Sequence, residues 1–172
     1  MSSYRVISSD DHMFEPPDLW TRPLGAKYGD RTPQILRTKE GGDWWFCDGV
    51  KGQPLASGTL TGVRFEDINR LTFDDVEERV RPGGYDPDAR VKDMDQDGVD
   101  ASVIYPNAGF MMYDVPDTQL LNDVFQVYND WISEHCKSYP RRLKGIAMIN
   151  LDDVQWGIKE LQRCHRLGIS GA

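Results

Sequence analysis

An α/β fold built from parallel βαβ units is what this chain predicts, and three observations lead to it. A β-branched run opens the chain at Tyr4–Ser9. From Asp88 onward, short apolar strands alternate with helices of three-to-four-residue periodicity. Helices of that length between strands require a crossover that leaves the strands parallel.

The first strand ends in "ISSDDHMFEPPDLW", where Pro16 and Pro17 stop regular structure. Residues from about 16 to 87 are rich in Gly, Pro and Asp and read as a long insertion. Its clearest element is Trp44-Trp45-Phe46-Cys47 followed by Asp48-Gly49, a hairpin signal. A helix then ends at Gly98, a strand runs over Ala101–Tyr105, and a longer helix runs from about Asp117 to Ser138. Leu120, Leu121, Val124, Phe125, Tyr128, Trp131, Ile132 and His135 give that helix one apolar face, and Pro140 terminates it. Gly145–Ile149 reads as the next strand. A final helix carries Val154, Ile158, Leu161 and Cys164 on one side and stops near Gly168, leaving Ile169–Ala172 as the opening of another strand. The pattern gives three to four βα units, where a closed eight-stranded barrel takes about 250 residues.

Composition narrows the function classes. The 172 residues with 39% hydrophobic content suit one ordinary soluble domain. The 28 acidic against 20 basic residues give a net charge of -8, which argues against nucleic acid and anionic membrane as partners. "MSSYRVISSDD" lacks the basic and apolar segments of a secretory signal, and no apolar stretch is long enough to span a bilayer, so a cytoplasmic location is expected. Cys47, Cys136 and Cys164 form no close-spaced pair and read as reduced, buried thiols.

Asp10 and His12 stand two residues apart at a strand end, so both side chains point to one face while Asp11 points to the other. That is a workable start for a divalent metal, which needs at least three protein donors and an open position. The spacing equally allows Asp10, Asp11 and Glu15 to be solvated loop acids near a surface histidine. Asp93-x-Asp95-x-Asp97-Gly98 copies the start of a calcium loop, but Ile104 stands where its bidentate Glu is required, so the segment reads as a polar helix end capped by Gly98. His135 reads as a hydrogen-bonded core or boundary residue, and His165 as a helix C-terminal cation. The Trp44-Trp45-Phe46 cluster suits either an apolar cover or the wall of an aromatic-substrate pocket.

In this order, "SSDDHMFEPPDLW", "DPDARVKDMDQDGVDASVIYP" and "KGIAMINLDDVQWGIKELQRCHRLGISGA" resemble the amidohydrolase-related family of metal-dependent decarboxylases and hydrolases, to which the resorcylate decarboxylases belong. The resemblance implies a (β/α)8 TIM barrel, here its N-terminal half: the first three to four βα units plus the insertion after strand 1. It implies a divalent cofactor, Zn or Mn, held in part by Asp10 and His12, with Asp10 departing from the His or Glu found in better studied members. The remaining ligands, a His after a middle strand and an Asp after the last, would lie beyond Ala172, and neither His135 nor His165 matches them. Asn107 and Tyr105, at the end of a barrel strand, would face a small carboxylated substrate, of which aromatic acids are one kind, although the turn tendency of Asn107 before Gly109 explains that residue as well. A chain of this length on its own is expected to be inactive and to form a homo-oligomer through its open sheet edge. The competing expectation is a non-catalytic α/β scaffold with a vestigial site.

Overall fold

The computed structural model describes residues 5–39, 42–55 and 80–172. Three strands, β1 (Ile7–His12), β5 (Ala101–Tyr105) and β6 (Leu143–Gly145), form a parallel sheet in the order β1-β5-β6. A parallel bridge from Ile146 to Gly171 adds the start of a fourth strand beside β6. The helices between them are α2 (Pro87–Asp97), α3 (Thr118–Lys137) and α4 (Val154–Arg166). Neighbouring strands are therefore consecutive βα units, the order of a barrel wall as it is laid down.

Local chemistry sets the ends of these elements. Asp86 accepts from the Asp88 amide at 2.9 Å and Pro87 opens α2, while Gly98 closes it in the left-handed region at φ 71°. Asp93, Asp95 and Asp97 thus sit on helical turns, and Asp95 pairs with Arg142 at 2.7 Å. Asp117 caps α3 through the amides of Gln119 (3.0 Å) and Leu120 (3.1 Å). The predicted apolar face of α3 fills the core with Leu120, Leu121, Val124, Phe125, Tyr128 and Ile132 against Ile104, Leu143 and Met148.

Three expectations need correction. Regular pairing stops at Gly145, so β6 is Leu143–Gly145 with the Ile146 bridge, not 145–149. In α4, Val154, Ile158 and Leu161 are exposed, and the buried positions are Gly157, Glu160 and Cys164. A close approach and a polar network place that face: a Cβ on Gly157 would lie 2.8 Å from the Asn150 carbonyl oxygen, and Glu160 accepts from Asn129 Nδ2 at 2.8 Å and from Arg163. His135 is partly buried against Trp131, yet its Nε2 has no hydrogen-bond partner among the described residues.

The segment between β1 and α2 holds more structure than its hairpin. Helix α1 (Thr21–Tyr28) precedes an antiparallel sheet of β2 (Gln34–Arg37), β3 (Asp43–Cys47) and β4 (Val50–Pro54). Asp48 (φ 51°) and Gly49 (φ 76°) make the β3–β4 turn, with positive φ at both central positions. Trp45 packs edge-on against Trp20, ring centroids 5.4 Å apart, and Trp20 Nε1 donates to the Val124 carbonyl of α3 at 3.0 Å. Trp45, through Trp20, thus seals the flank of α3. Residues 56–79 of the predicted insertion lie outside the described residues.

Candidate functional site

The C-terminal ends of β1 and β5 meet at the mouth of the parallel sheet, where His12 is registered opposite Tyr105. Between Ser8 and Asp11 the register shifts: three steps along β1 match two along β5, since Ser8 pairs with Ser102 and Asp11 with Ile104. This bulge turns the end of β1. Asp11 then shares a face with Ser8 and Ser102, accepts a hydrogen bond from each hydroxyl (2.9 Å from Ser8), and lies 3.7 Å from the Arg90 guanidinium.

Asp10 and His12 lie together, with Asp10 Oδ1 3.7 Å from His12 Nε2. Both are accessible, the side chains 84% and 43% exposed respectively. His12 Nδ1 is 2.8 Å from the Pro106 carbonyl oxygen. A carbonyl only accepts, so Nδ1 carries the proton, and in the neutral ring the Nε2 lone pair is then left free, the arrangement of a metal-ligating imidazole. Tyr105 and Phe110 flank the ring, with centroids 6.2 and 5.9 Å away.

Asp10 and His12 open onto a cavity of about 670 Å³ whose wall also includes Asp11, Phe14, Arg81, Arg90 and Asn107. That volume suits a small-molecule ligand. Asn107 reaches the cavity with its Oδ1 accepting from Gln53 Nε2 of β4 at 3.3 Å, so the antiparallel sheet touches the rim. Tyr105 neighbours His12 but does not line this cavity. Arg90 is held by three groups, the Asp11 carboxylate and the carbonyls of Gly83 and His12. Burial pushes its guanidinium down from the ordinary value, opposed chiefly by Asp11.

Glu15 is not the solvated loop acid that the sequence allowed. It is 3% exposed and accepts the backbone N–H groups of Asn107 (2.8 Å), Ala108 (3.0 Å) and Gly109 (3.1 Å). Burial raises its pKa, and these hydrogen bonds pull the other way. Its partners lie more than ninety residues along the chain, so periodicity and spacing could not reveal the contact. Arg81 and Arg90 were likewise invisible as site residues, because nothing in "ERVRPGGYDPDAR" marks which arginine turns inward.

Asp10 and His12 supply one carboxylate and one free imidazole nitrogen, a donor set that fits a divalent ion in part. No cluster of three His, Cys, Asp or Glu side chains able to hold a metal occurs among the described residues. His135 and His165 lie on α3 and α4 and do not line the cavity. Among the described residues, no helix is long and apolar enough to cross a membrane.

Sheet order, crossover helices and the position of the site define the fold as part of a TIM barrel. The chain is similar in sequence to the gamma-resorcylate decarboxylases of Polaromonas sp. strain JS666 (30% identity over 86 residues) and Rhodococcus jostii strain RHA1 (31% over 86 residues). Each match covers 49% of this chain and 26% of the relative, so the chain spans about a quarter of the length of the curated relatives it matches. Among solved structures it is similar to an amidohydrolase from Mycobacterium avium subsp. paratuberculosis K-10, with TM-score 0.69 and 20% identity, covering 98% of this chain and 49% of that one. It is also similar to the dihydroxybenzoic acid decarboxylase of Polaromonas sp. JS666, solved with manganese and the inhibitor 2-nitroresorcinol: TM-score 0.56, 20% identity, 99% of this chain and 38% of that one. No family model matches the chain.

Proposed function

We propose that this chain forms the opening part of the active site of a metal-dependent decarboxylase acting on a small aromatic carboxylic acid. The observation that carries this reading is the pair of accessible donors, Asp10 Oδ1 and His12 Nε2, 3.7 Å apart at the barrel strand ends with the Nδ1 proton already committed to Pro106. The similarity to decarboxylases of dihydroxybenzoic acids supports the reaction class.

Asp10 and His12 would hold a divalent ion, manganese or zinc, whose positive charge polarises a bound acid. The chain's own residues do the rest of what is visible here. The exposed guanidinium of Arg81 faces the same cavity and offers a carboxylate a charge-assisted partner. Asn107 adds a polar contact at the rim, and Phe14 gives an aromatic ring an apolar wall. Further donors come from strands that follow in the barrel order or from another copy of the chain, and association through the exposed β1 edge at Val6 and Ile7 belongs to the same proposal.

Calorimetric titration with Mn²⁺ tests this reading. The expected result is saturable binding, lost in the Asp10→Ala/His12→Ala variant with an unchanged circular dichroism spectrum, since Asp10 is largely and His12 partly solvent-exposed. The absence of a third donor among the described residues favours a second reading, a scaffold with a vestigial site. That reading predicts no binding to either protein, and such a result would overturn the first.

A further inference from the structure

One planar peptide unit joins the buried Glu15 to the exposed His12. Its N–H belongs to Asn107 and donates to Glu15 Oε1 at 2.8 Å, and its carbonyl belongs to Pro106 and accepts from His12 Nδ1 at 2.8 Å. No cis peptide bond occurs among the described residues, so the N–H and C=O of this unit point in opposite directions. A group that fixes the N–H therefore aims the carbonyl. Glu15 fixes it tightly, because Oε2 also takes the Ala108 amide and Oε1 the Gly109 amide, at 3.0 and 3.1 Å. Three successive amides converging on one carboxylate leave the turn little freedom to rotate.

The alternative state of the ring is visible in the same geometry. Asp10 Oδ1 stands 3.7 Å from Nε2, beyond hydrogen-bond reach but close enough to take an Nε2 proton after a small rotation. Two acceptors thus compete for the single proton of neutral His12. The Pro106 carbonyl at 2.8 Å holds it at Nδ1 only while the turn stays in place.

We propose that Glu15 is a positioning residue for His12: by clamping the Asn107–Gly109 amides it aims the Pro106 carbonyl, holds the imidazole in the Nδ1–H tautomer, and keeps Nε2 free for a divalent cation. The tautomer claim stands on the metal-free protein, and its consequence for cation binding rests on the metal reading above.

The test is a long-range proton–nitrogen correlation spectrum of ¹⁵N-labelled, metal-free protein at pH 8. The His12 signals are assigned by comparison with His12→Gln, and His135 and His165 serve as internal references. Wild type is expected to show His12 as Nδ1–H, with the Asn107, Ala108 and Gly109 amides protected from exchange. Glu15→Gln places an amide against these N–H donors and is expected to move His12 toward the Nε2–H form while the reference histidines stay unchanged. Glu15→Asp, one methylene short of the turn, takes its place if the glutamine variant does not give a dispersed spectrum. Where wild type binds Mn²⁺, the variant should bind about 10–100-fold more weakly.

A wild-type His12 in the Nε2–H form, unprotected turn amides, or a folded Glu15 variant with the wild-type tautomer each overturns the proposal. A wild-type protein that binds no Mn²⁺ sinks the metal reading alone, because the tautomer is read without metal.

Discussion

Acidification should destabilise this protein through His135, and the size of the effect can be worked from its surroundings. Burial beside Trp131, and then repulsion from Arg90, lower the imidazole pKa from 6.5 to about 4, with Asp86 opposing weakly. Between these two values the unfolded chain binds the proton and the folded one does not. Stability therefore rises with pH across that window, is fully present above 6.5, and is lost as pH falls toward 4. At pH 5 the unfolded imidazole is mostly charged and the folded one mostly neutral, a difference worth about 2 kcal/mol, reduced toward about 1 by the ring's partial exposure. The variant His135→Leu removes the titration and also the buried Nε2 that has no partner among the described residues. It should match or exceed wild type at pH 8, since an orphaned polar atom is lost. Urea denaturation of both proteins at pH 8 and pH 5 is the assay. Wild type should lose about 1–2 kcal/mol more than the variant between the two conditions. Equal losses in the two proteins would refute the reasoning, as would a His135 resonance that titrates near 6.5 in the folded state.

Other substitutions test the packing that positions the site. Asp117→Ala removes the cap of α3 and one of the two carboxylates that grip Arg31 (2.6 Å), and thermal unfolding should show a loss of about 0.5–2 kcal/mol. Gly157→Ala drives a methyl to 2.8 Å from the Asn150 carbonyl oxygen, backbone that cannot swing aside, and should cost about 1–3 kcal/mol. Gly25→Ala in α1 meets nothing within 4 Å and should stabilise by about 0.5–1 kcal/mol, so the pair separates steric from propensity effects in one melting experiment.

The fold was legible where one local signal dominated. Helix α3 announces itself through seven apolar residues at helical steps and a proline stop, and the β3–β4 hairpin through Asp48-Gly49. Helix α1 was not legible, because Pro23 and Gly25 are poor helix formers. Pro23 is tolerated within the first turn, and tertiary contacts hold the rest: buried Trp20 and Leu24, with Lys27 and Tyr28 both on Asp123. The buried face of α4 was misread for a related reason. Apolar spacing favoured Val154, Ile158 and Leu161, yet Gly157 allows the closest approach, and Glu160 with Asn129 and Arg163 fixes the rotation. A hydrophobic pattern carries no information about a polar network that is completed only after folding.

The acidic cluster around His12 shows the same limit at the site itself. Asp10, Asp11 and Glu15 are chemically near-identical in the sequence, and alternation alone separates only the first from the second. Folding gives them three different environments. Asp10 remains 84% exposed beside Nε2, Asp11 is bound between two serine hydroxyls and Arg90, and Glu15 is buried under three amides. The bulge in β1 produces the first division, by turning Asp11 toward Ser102 while Asp10 and His12 stay at the open mouth. The turn after β5 produces the second: its three amides supply the donors that make the burial of Glu15 tolerable. An exposed ligand pair is thus supported from below by a buried carboxylate of the same segment. A substitution at Glu15 should therefore disturb His12 before it disturbs Asp10, which touches neither the turn nor its amides.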